Sequence, residues 1–167
     1  MAPATPYPVL ASDEPKPVRH LSIRSQEERR LNDFVGGQYA DYNLTSVLFE
    51  NRTDSHDVIS LEKWSPKIGE KPPFAVAKKQ KYIPAAKGDA FGPSWTNHWL
   101  RIKITVPKEW QDKEWVELEF DPGCEALIFS EDGEALQGIT GGFDDNRRVD
   151  FPLKGDARTK ATTYYAE

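Results

Sequence analysis

Beyond Trp99 the chain alternates, with apolar Leu100, Ile102, Ile104 and Val106 set between polar Arg101, Lys103 and Thr105. A period of two marks a strand with one buried face, and Pro107 ends it. The same period returns in EWVELEFD, residues 114–121, where Val116, Leu118 and Phe120 share one side and Trp115, Glu117 and Glu119 the other. Asp121-Pro122-Gly123 then turns the chain. ALIFS, residues 126–130, reads as a short and more uniformly apolar strand. Glu131-Asp132-Gly133 is a hairpin signal, because Asp-Gly tolerates positive backbone angles, and EALQGI returns as the partner strand. RVDFPL and TTYYAE supply two further candidates. Five or six strands joined by tight turns, without helices between them, predict a mostly β fold: an antiparallel β-sandwich or jelly roll, not a parallel sheet.

Upstream the period changes. Ser25-Gln26-Glu27-Glu28 reads as a capping box, so a short N-terminal helix is expected over 26–35, with Leu31, Phe34 and Val35 as its apolar stripe and Gly36-Gly37 as its stop. YADYNLTSVLF, residues 39–49, suits either a helical turn or an extended packing segment, and a Pro/Lys-rich loop follows. Residues 1–18 carry five prolines and little periodicity, which predicts an extended leader. At the other end, TTYYAE has high strand propensity with nothing after it to cover an edge, so the sandwich is expected to be incomplete at its C-terminal strand. The expected organisation is a Pro-rich leader over 1–18, a helix and extended lead-in segment packing on the sandwich over 19–90, and sandwich strands over 91–167.

Composition narrows the function. A chain of 167 residues can hold one real core without metal or disulfide help. Its 22 basic and 27 acidic residues leave a net charge of −5, and the basic residues form no stripe, which argues against nucleic acid as a partner. KPPFAVAKKQK, residues 71–81, is a local basic cluster that reads as ordinary surface. A lone cysteine, Cys124, precludes an intrachain disulfide and favours a reducing compartment. There is no signal-peptide pattern, and no apolar run approaches the roughly 20 residues a membrane span needs; the expected location is cytoplasmic. The sequons at Asn43 and Asn51 are read as silent.

Candidate chemistry is sparse. His20, His56 and His98 lack metal-ligand spacing, Cys124 has no CxxC partner, and neither a phosphate loop nor a GxSxG elbow is present. No catalytic residue, metal ligand or cofactor site is assigned. The stretch that stands out is FGPSWTNHW, residues 91–99. Phe91, Trp95 and Trp99 can anchor the start of the first sandwich strand, with Gly92-Pro93 setting the turn and the polar residues satisfying loop amides. Alternatively Trp95, His98 and Trp99 are ligand or interface candidates, one indole facing a cleft while His98 donates to a hydroxyl or a neighbouring chain. Packing is the favoured reading, since large aromatics at strand starts are usually core.

The ordered set FGPSW-x-x-HW, then Ile104, Val106, Pro107 and Trp110, then Cys124-Glu125-Ala126-Leu127, then DGEALQGI resembles the N-terminal domain of cytosolic or vacuolar-type alpha-mannosidases of glycoside hydrolase family 38. RRLNDFVGGQYADYNL resembles the segment that leads into that domain. The resemblance implies a parent retaining exo-alpha-mannosidase that removes terminal mannose from oligosaccharides, with a divalent metal, usually zinc, and an Asp nucleophile in a separate, large catalytic domain. Retaining glycoside hydrolysis needs two carboxyl groups about 5 Å apart across the sugar, and none is transferred to a position here, so the chain alone is expected to be inactive. The implied partners are the catalytic domain of the same polypeptide and further copies in a homo-oligomer; the implied route is from cytosol to vacuole. A stand-alone carbohydrate-binding module and an interaction or targeting module remain the alternatives.

Overall fold

In the computed structural model, which describes residues 19–140 and 147–167, the chain forms two compact units divided between Arg52 and Thr53. The expected Pro-rich leader over 1–18 lies outside the described residues.

The first unit is helical. Helix α1 is described over Arg19–Val35, which includes the six residues before Ser25 and places the expected capping box inside the helix. The reason is local: no glycine or proline interrupts Arg19 to Val35, and each added residue gains a backbone hydrogen bond once the helix is nucleated. The stop falls where expected. Gly36 N–H bonds Asn32 O at 2.9 Å, Gly37 takes a left-handed φ of 69°, and Asn43 Nδ2 donates to Asp33 O at 2.6 Å and Gly36 O at 2.8 Å. Asn43 therefore satisfies carbonyls that the helix end leaves open. A short helix α2, Thr45–Leu48, follows, so the 39–49 segment left open between helical and extended is helical at 45–48, with Tyr39 closing a 3-10 turn over Gly37–Tyr39.

The second unit is the sandwich. Its described strands are β1 Ile59–Trp64, β2 Ile83–Ala85, β3 Trp99–Ile104, β4 Glu117–Glu119, β5 Ala126–Phe129, β6 Ala135–Ile139, β7 Asp150–Pro152 and β8 Thr162–Ala166, with a one-turn helix α3, Phe74–Ala77, between β1 and β2. Six of them form an antiparallel sheet in the order β2-β1-β3-β8-β5-β6, and β4 pairs with β7 in a second sheet. The strands read from the 99–167 pattern are all present, which makes the domain mostly β as expected. Strands β1 and β2 come from the stretch that the pattern left unread, although Ile59, Ser60, Leu61 and Glu62 do alternate.

TTYYAE is not an exposed edge. Strand β8 sits between β3 and β5, with Ile102 opposite Tyr164 on one side and Ile128 opposite Ala166 on the other. Both of its neighbours come from earlier in the chain, and Tyr164, Tyr165 and Ala166 are all buried.

Each face of the six-stranded sheet carries its own core. Leu100, Ile102 and Ile104 of β3, Ile128 of β5, Ile139 of β6 and Tyr164 and Ala166 of β8 pack with Leu118 and Phe151 of the smaller sheet and with Phe120 and Leu153 just beyond its strands. Phe151 meets Tyr164 edge-on at 5.1 Å between ring centroids. Full burial of such side chains contributes about 1.5–3 kcal/mol each. The opposite face buries Trp99 and Tyr165 against Ala77 and Tyr82, with Trp64, Phe74 and Phe129 around them. The hairpin after β5 leans on this second cluster: Gly133 has φ 91°, and a Cβ there would meet the Phe74 ring at 2.5 Å. Glycine is required at this turn for both reasons.

Candidate functional site

The loop 91–98 is held by β1 and the chain before it. Antiparallel pairing places Trp64 opposite Trp99 and Lys63 opposite Leu100, and one step further along the same register brings Ser65 beside His98. Ser65 Oγ lies 2.9 Å from His98 Nδ1, and Thr96 Oγ1 lies 2.9 Å from His98 Nε2. The Thr96 hydroxyl donates its one proton to Pro93 O at 2.6 Å, so toward the imidazole it can only accept. Nε2 therefore carries the ring proton and Nδ1 accepts from Ser65. Partial burial, and then the Lys63 charge, hold the His98 pKa below its ordinary value. His98 is a neutral imidazole that bridges two hydroxyls.

Around that bridge Phe91 lies 5.1 Å from the His98 ring, and Lys63 Nζ sits 5.1 Å from the Phe91 centroid. Lys63 also pairs with Asp89 at 2.9 Å. That hydrogen bond, with one from Ala86 N–H, lowers the Asp89 pKa. Asn97 Nδ2 donates to Glu167 Oε1 at 2.6 Å, tying the loop to the end of β8.

The two tryptophans of the loop are placed differently. Trp99 is fully buried, 5.4 Å from Phe129 and 6.0 Å from Phe74. Its indole N–H is buried without a hydrogen-bond partner, so its contribution is packing. Trp95 is fully solvent-exposed, at 101%, and has a φ of 64°, a conformation that costs a bulky residue of order 1–3 kcal/mol. The loop bonds on both sides of it keep that indole outside. Phe91 is partly exposed, at 38%.

A second polar cluster crosses the outer face of the sheet. Glu62 lies opposite Arg101 and accepts from its Nε at 2.7 Å, with Lys103 Nζ at 3.3 Å. The Arg101 hydrogen bond holds the Glu62 pKa down. Arg101 also lies over the Tyr82 ring at 4.6 Å, and burial above all pushes the Tyr82 phenol up to about 12. One carboxylate bridges two cations in this cluster, an arrangement that suits a scaffold and not an acid–base pair.

Among the described residues no group of three or more His, Cys, Asp or Glu could hold a metal ion. Both His98 ring nitrogens are engaged by hydroxyls, and Cys124 stands alone on the surface. The described residues do not fit a catalytic metal. No described helix is long and apolar enough to cross a membrane.

Sequence reasoning missed Lys63, Ser65 and Asp89. Ser65 is 33 positions from His98, and the β1–β3 register alone brings them together; recognising the alternation of β1 is the signal that could have exposed it.

Two sheets packed face to face, with an aromatic loop at one strand start, define a jelly-roll domain. The family model described as "Alpha-mannosidase, jelly roll domain" matches residues 56–167, and the chain belongs to that family. It is 33% identical over 139 residues to alpha-mannosidase 2C1 of Homo sapiens, covering 83% of this chain and 13% of the relative. The mouse protein of the same name is 36% identical over 112 residues, covering 66% of this chain and 10% of the relative. Alpha-mannosidase G of Dictyostelium discoideum is 37% identical over 91 residues, covering 54% and 8%. The chain thus spans about a tenth of the length of the curated relatives it matches.

Proposed function

We propose that this chain serves as the accessory, non-catalytic jelly-roll domain of an alpha-mannosidase that removes terminal alpha-mannose from oligosaccharides, and that the 91–98 loop is its docking element. The observation that carries this reading is the exposed Trp95, held outward at a costly backbone angle. A large rigid indole with few rotatable bonds is a strong interface anchor once covered. The occupant is the catalytic part of the enzyme or a neighbouring subunit. Catalytic carboxylates, a divalent metal such as zinc and the chemistry of glycoside hydrolase family 38 belong to that part. A cytoplasmic protein delivered to the vacuole without a signal peptide is the location that goes with it.

Carbohydrate binding is the second reading, supported by the same exposed indole, which could stack on a sugar ring. It is weaker because the neighbouring polar groups of His98, Thr96 and Ser65 bond one another, leaving no convergent donors beside Trp95.

The test is hydrolysis of a chromogenic alpha-mannoside by this chain and by a polypeptide of the relatives' full length that carries it. Activity confined to the long form, and impaired there by Trp95→Ala, supports docking; activity of the short chain overturns the non-catalytic reading. Saturable mannose binding by the short chain, abolished by Trp95→Ala, would favour the sugar-stacking alternative.

A further inference from the structure

Ser65 follows the last residue of β1, and His98 precedes the first residue of β3. The register that sets Trp64 opposite Trp99 carries one residue further and brings the two side chains together, Ser65 exposed and His98 half-buried. Three hydrogen bonds run in one direction through the pair. Ser65 Oγ–H donates to His98 Nδ1 at 2.9 Å, His98 Nε2–H donates to Thr96 Oγ1 at 2.9 Å, and the Thr96 hydroxyl donates to Pro93 O at 2.6 Å.

That direction has a chemical meaning. An alcohol donating into a neutral imidazole, whose other nitrogen is held by a third group, is the arrangement that activates a serine nucleophile. The imidazole is in the form a base requires, because partial burial, and then the Lys63 charge, hold its pKa below the ordinary value. The hydroxyl at the head of the chain is open to solvent, where a reactant can reach it. Beside His98, the partly exposed Phe91 ring offers that reactant an apolar surface.

We propose that Ser65 is a nucleophilic serine with His98 as its general base and Thr96 as the positioning residue that fixes the imidazole tautomer, and that the pair takes up the acyl group of an activated ester. Ser65 Oγ bonds to the acyl carbonyl carbon while its proton passes to His98 Nδ1. The tetrahedral adduct then collapses, the ester C–O bond breaks, and the departing alcohol or phenol takes that proton. An ester of Ser65 and a free alcohol result. Through the step His98 Nε2–H stays on Thr96. The residue after Ser65 is Pro66, which has no N–H to offer the oxyanion, so a good leaving group is required. This chemistry does not depend on the accessory-domain reading: retaining glycoside hydrolysis proceeds through two carboxyl groups, and the Ser65–His98 pair contains none.

An alkyl fluorophosphonate applied to the full 167-residue chain tests it, because that reagent phosphonylates an activated serine by an analogous displacement, with fluoride leaving. Peptide mass spectrometry reads the rate at Ser65 against Ser46, an exposed serine whose hydroxyl donates to Asn43 O at 2.7 Å instead of to a base. Circular dichroism checks that each variant stays folded. Ser65 is expected to react about a hundredfold faster than Ser46, as a positioned general base provides, and to slow as pH falls below about 6.5 and His98 takes up a proton. His98→Gln, whose amide can still accept from Ser65 and donate to Thr96, is expected to bring Ser65 down to the Ser46 rate. Thr96→Val is expected to slow Ser65 several-fold and to let the Nδ1–H tautomer appear in imidazole nitrogen-15 spectra, a readout that lost packing alone would not move. Ser65 reacting no faster than Ser46, or unaffected by His98→Gln in a folded chain, overturns the proposal. An unmoved tautomer in Thr96→Val overturns the role given to Thr96.

Discussion

The helical unit before Thr53 and the sandwich after it use their apolar residues in opposite ways. In the sandwich Trp99, Ile102 and Ile128 are fully buried and two contiguous clusters form, one on each face of the larger sheet. In the helical unit no described side chain from Ile23 to Arg52 is fully buried, although Ile23, Leu31, Phe34, Val47 and Leu48 are as apolar as anything in the core. Apolar content does not make a core. A core needs a second layer, and the larger sheet has the smaller sheet on one side and the Phe74–Tyr82 segment on the other. Among the described residues of its own unit, too few surround α1 to bury comparable surface.

The strongest way to break the contrast is Trp99→Ala. Loss of a fully buried indole should cost about 3–5 kcal/mol, seen as a large drop in the urea midpoint of the sandwich. The helical signal of α1 should change little, and an equal loss of both would mean that the units unfold together.

Gly133→Ala should come next, at about 1–3 kcal/mol, because φ 91° and the Phe74 ring both oppose a Cβ. Thermal melts would measure it, and Phe74→Ala in the same background should remove the steric part but not the backbone part.

Asn43→Ala probes the helical unit. Deleting the amide that binds Asp33 O and Gly36 O should cost about 1 kcal/mol locally, read as faster amide exchange at the end of α1 with an unchanged sandwich midpoint. The same two bonds occupy the nitrogen that N-glycosylation would modify, a structural reason for the Asn43 sequon to stay unused.

Acid should produce a smaller effect in the sandwich. The His98 pKa is lowered in the folded state from 6.5, so the unfolded chain binds the extra proton first as pH falls. The stability linked to His98 is fully present above that ordinary value and is lost as pH drops toward the folded pKa. His98→Gln should flatten this part of the stability profile as pH falls below about 6.5; an unchanged profile would mean that another group titrates there. Smallest of all, Trp95→Ala should alter stability by less than about 0.5 kcal/mol, because its side chain is wholly exposed. A large loss would place Trp95 in a contact within the chain and remove the basis for docking.

Much of the sandwich was legible because its strands obey a period of two and its turns carry Asp-Gly or Pro-Gly. Leu100, Ile102 and Ile104 point inward as that period requires, and Trp115 is 63% exposed on the opposite side of its strand from buried Leu118. The site was legible only in part. FGPSWTNHW stood out by composition, yet composition could not say that Trp99 is buried while Trp95 is bare. That distinction depends on the positive φ at Trp95 and on Ser65 reaching His98 across the β1–β3 register.

The sequence by itself determined the fold class, the strand period, the end of α1 at Gly36-Gly37 and the membership implied by the ordered motifs, because each follows from neighbours within a few positions. The tertiary structure alone decided that β8 is an interior strand, that Gly133 must be glycine to clear Phe74, and which tryptophan faces water. Those outcomes depend on residues tens of positions apart meeting in space, and local periodicity carries no information about which distant segments will pair.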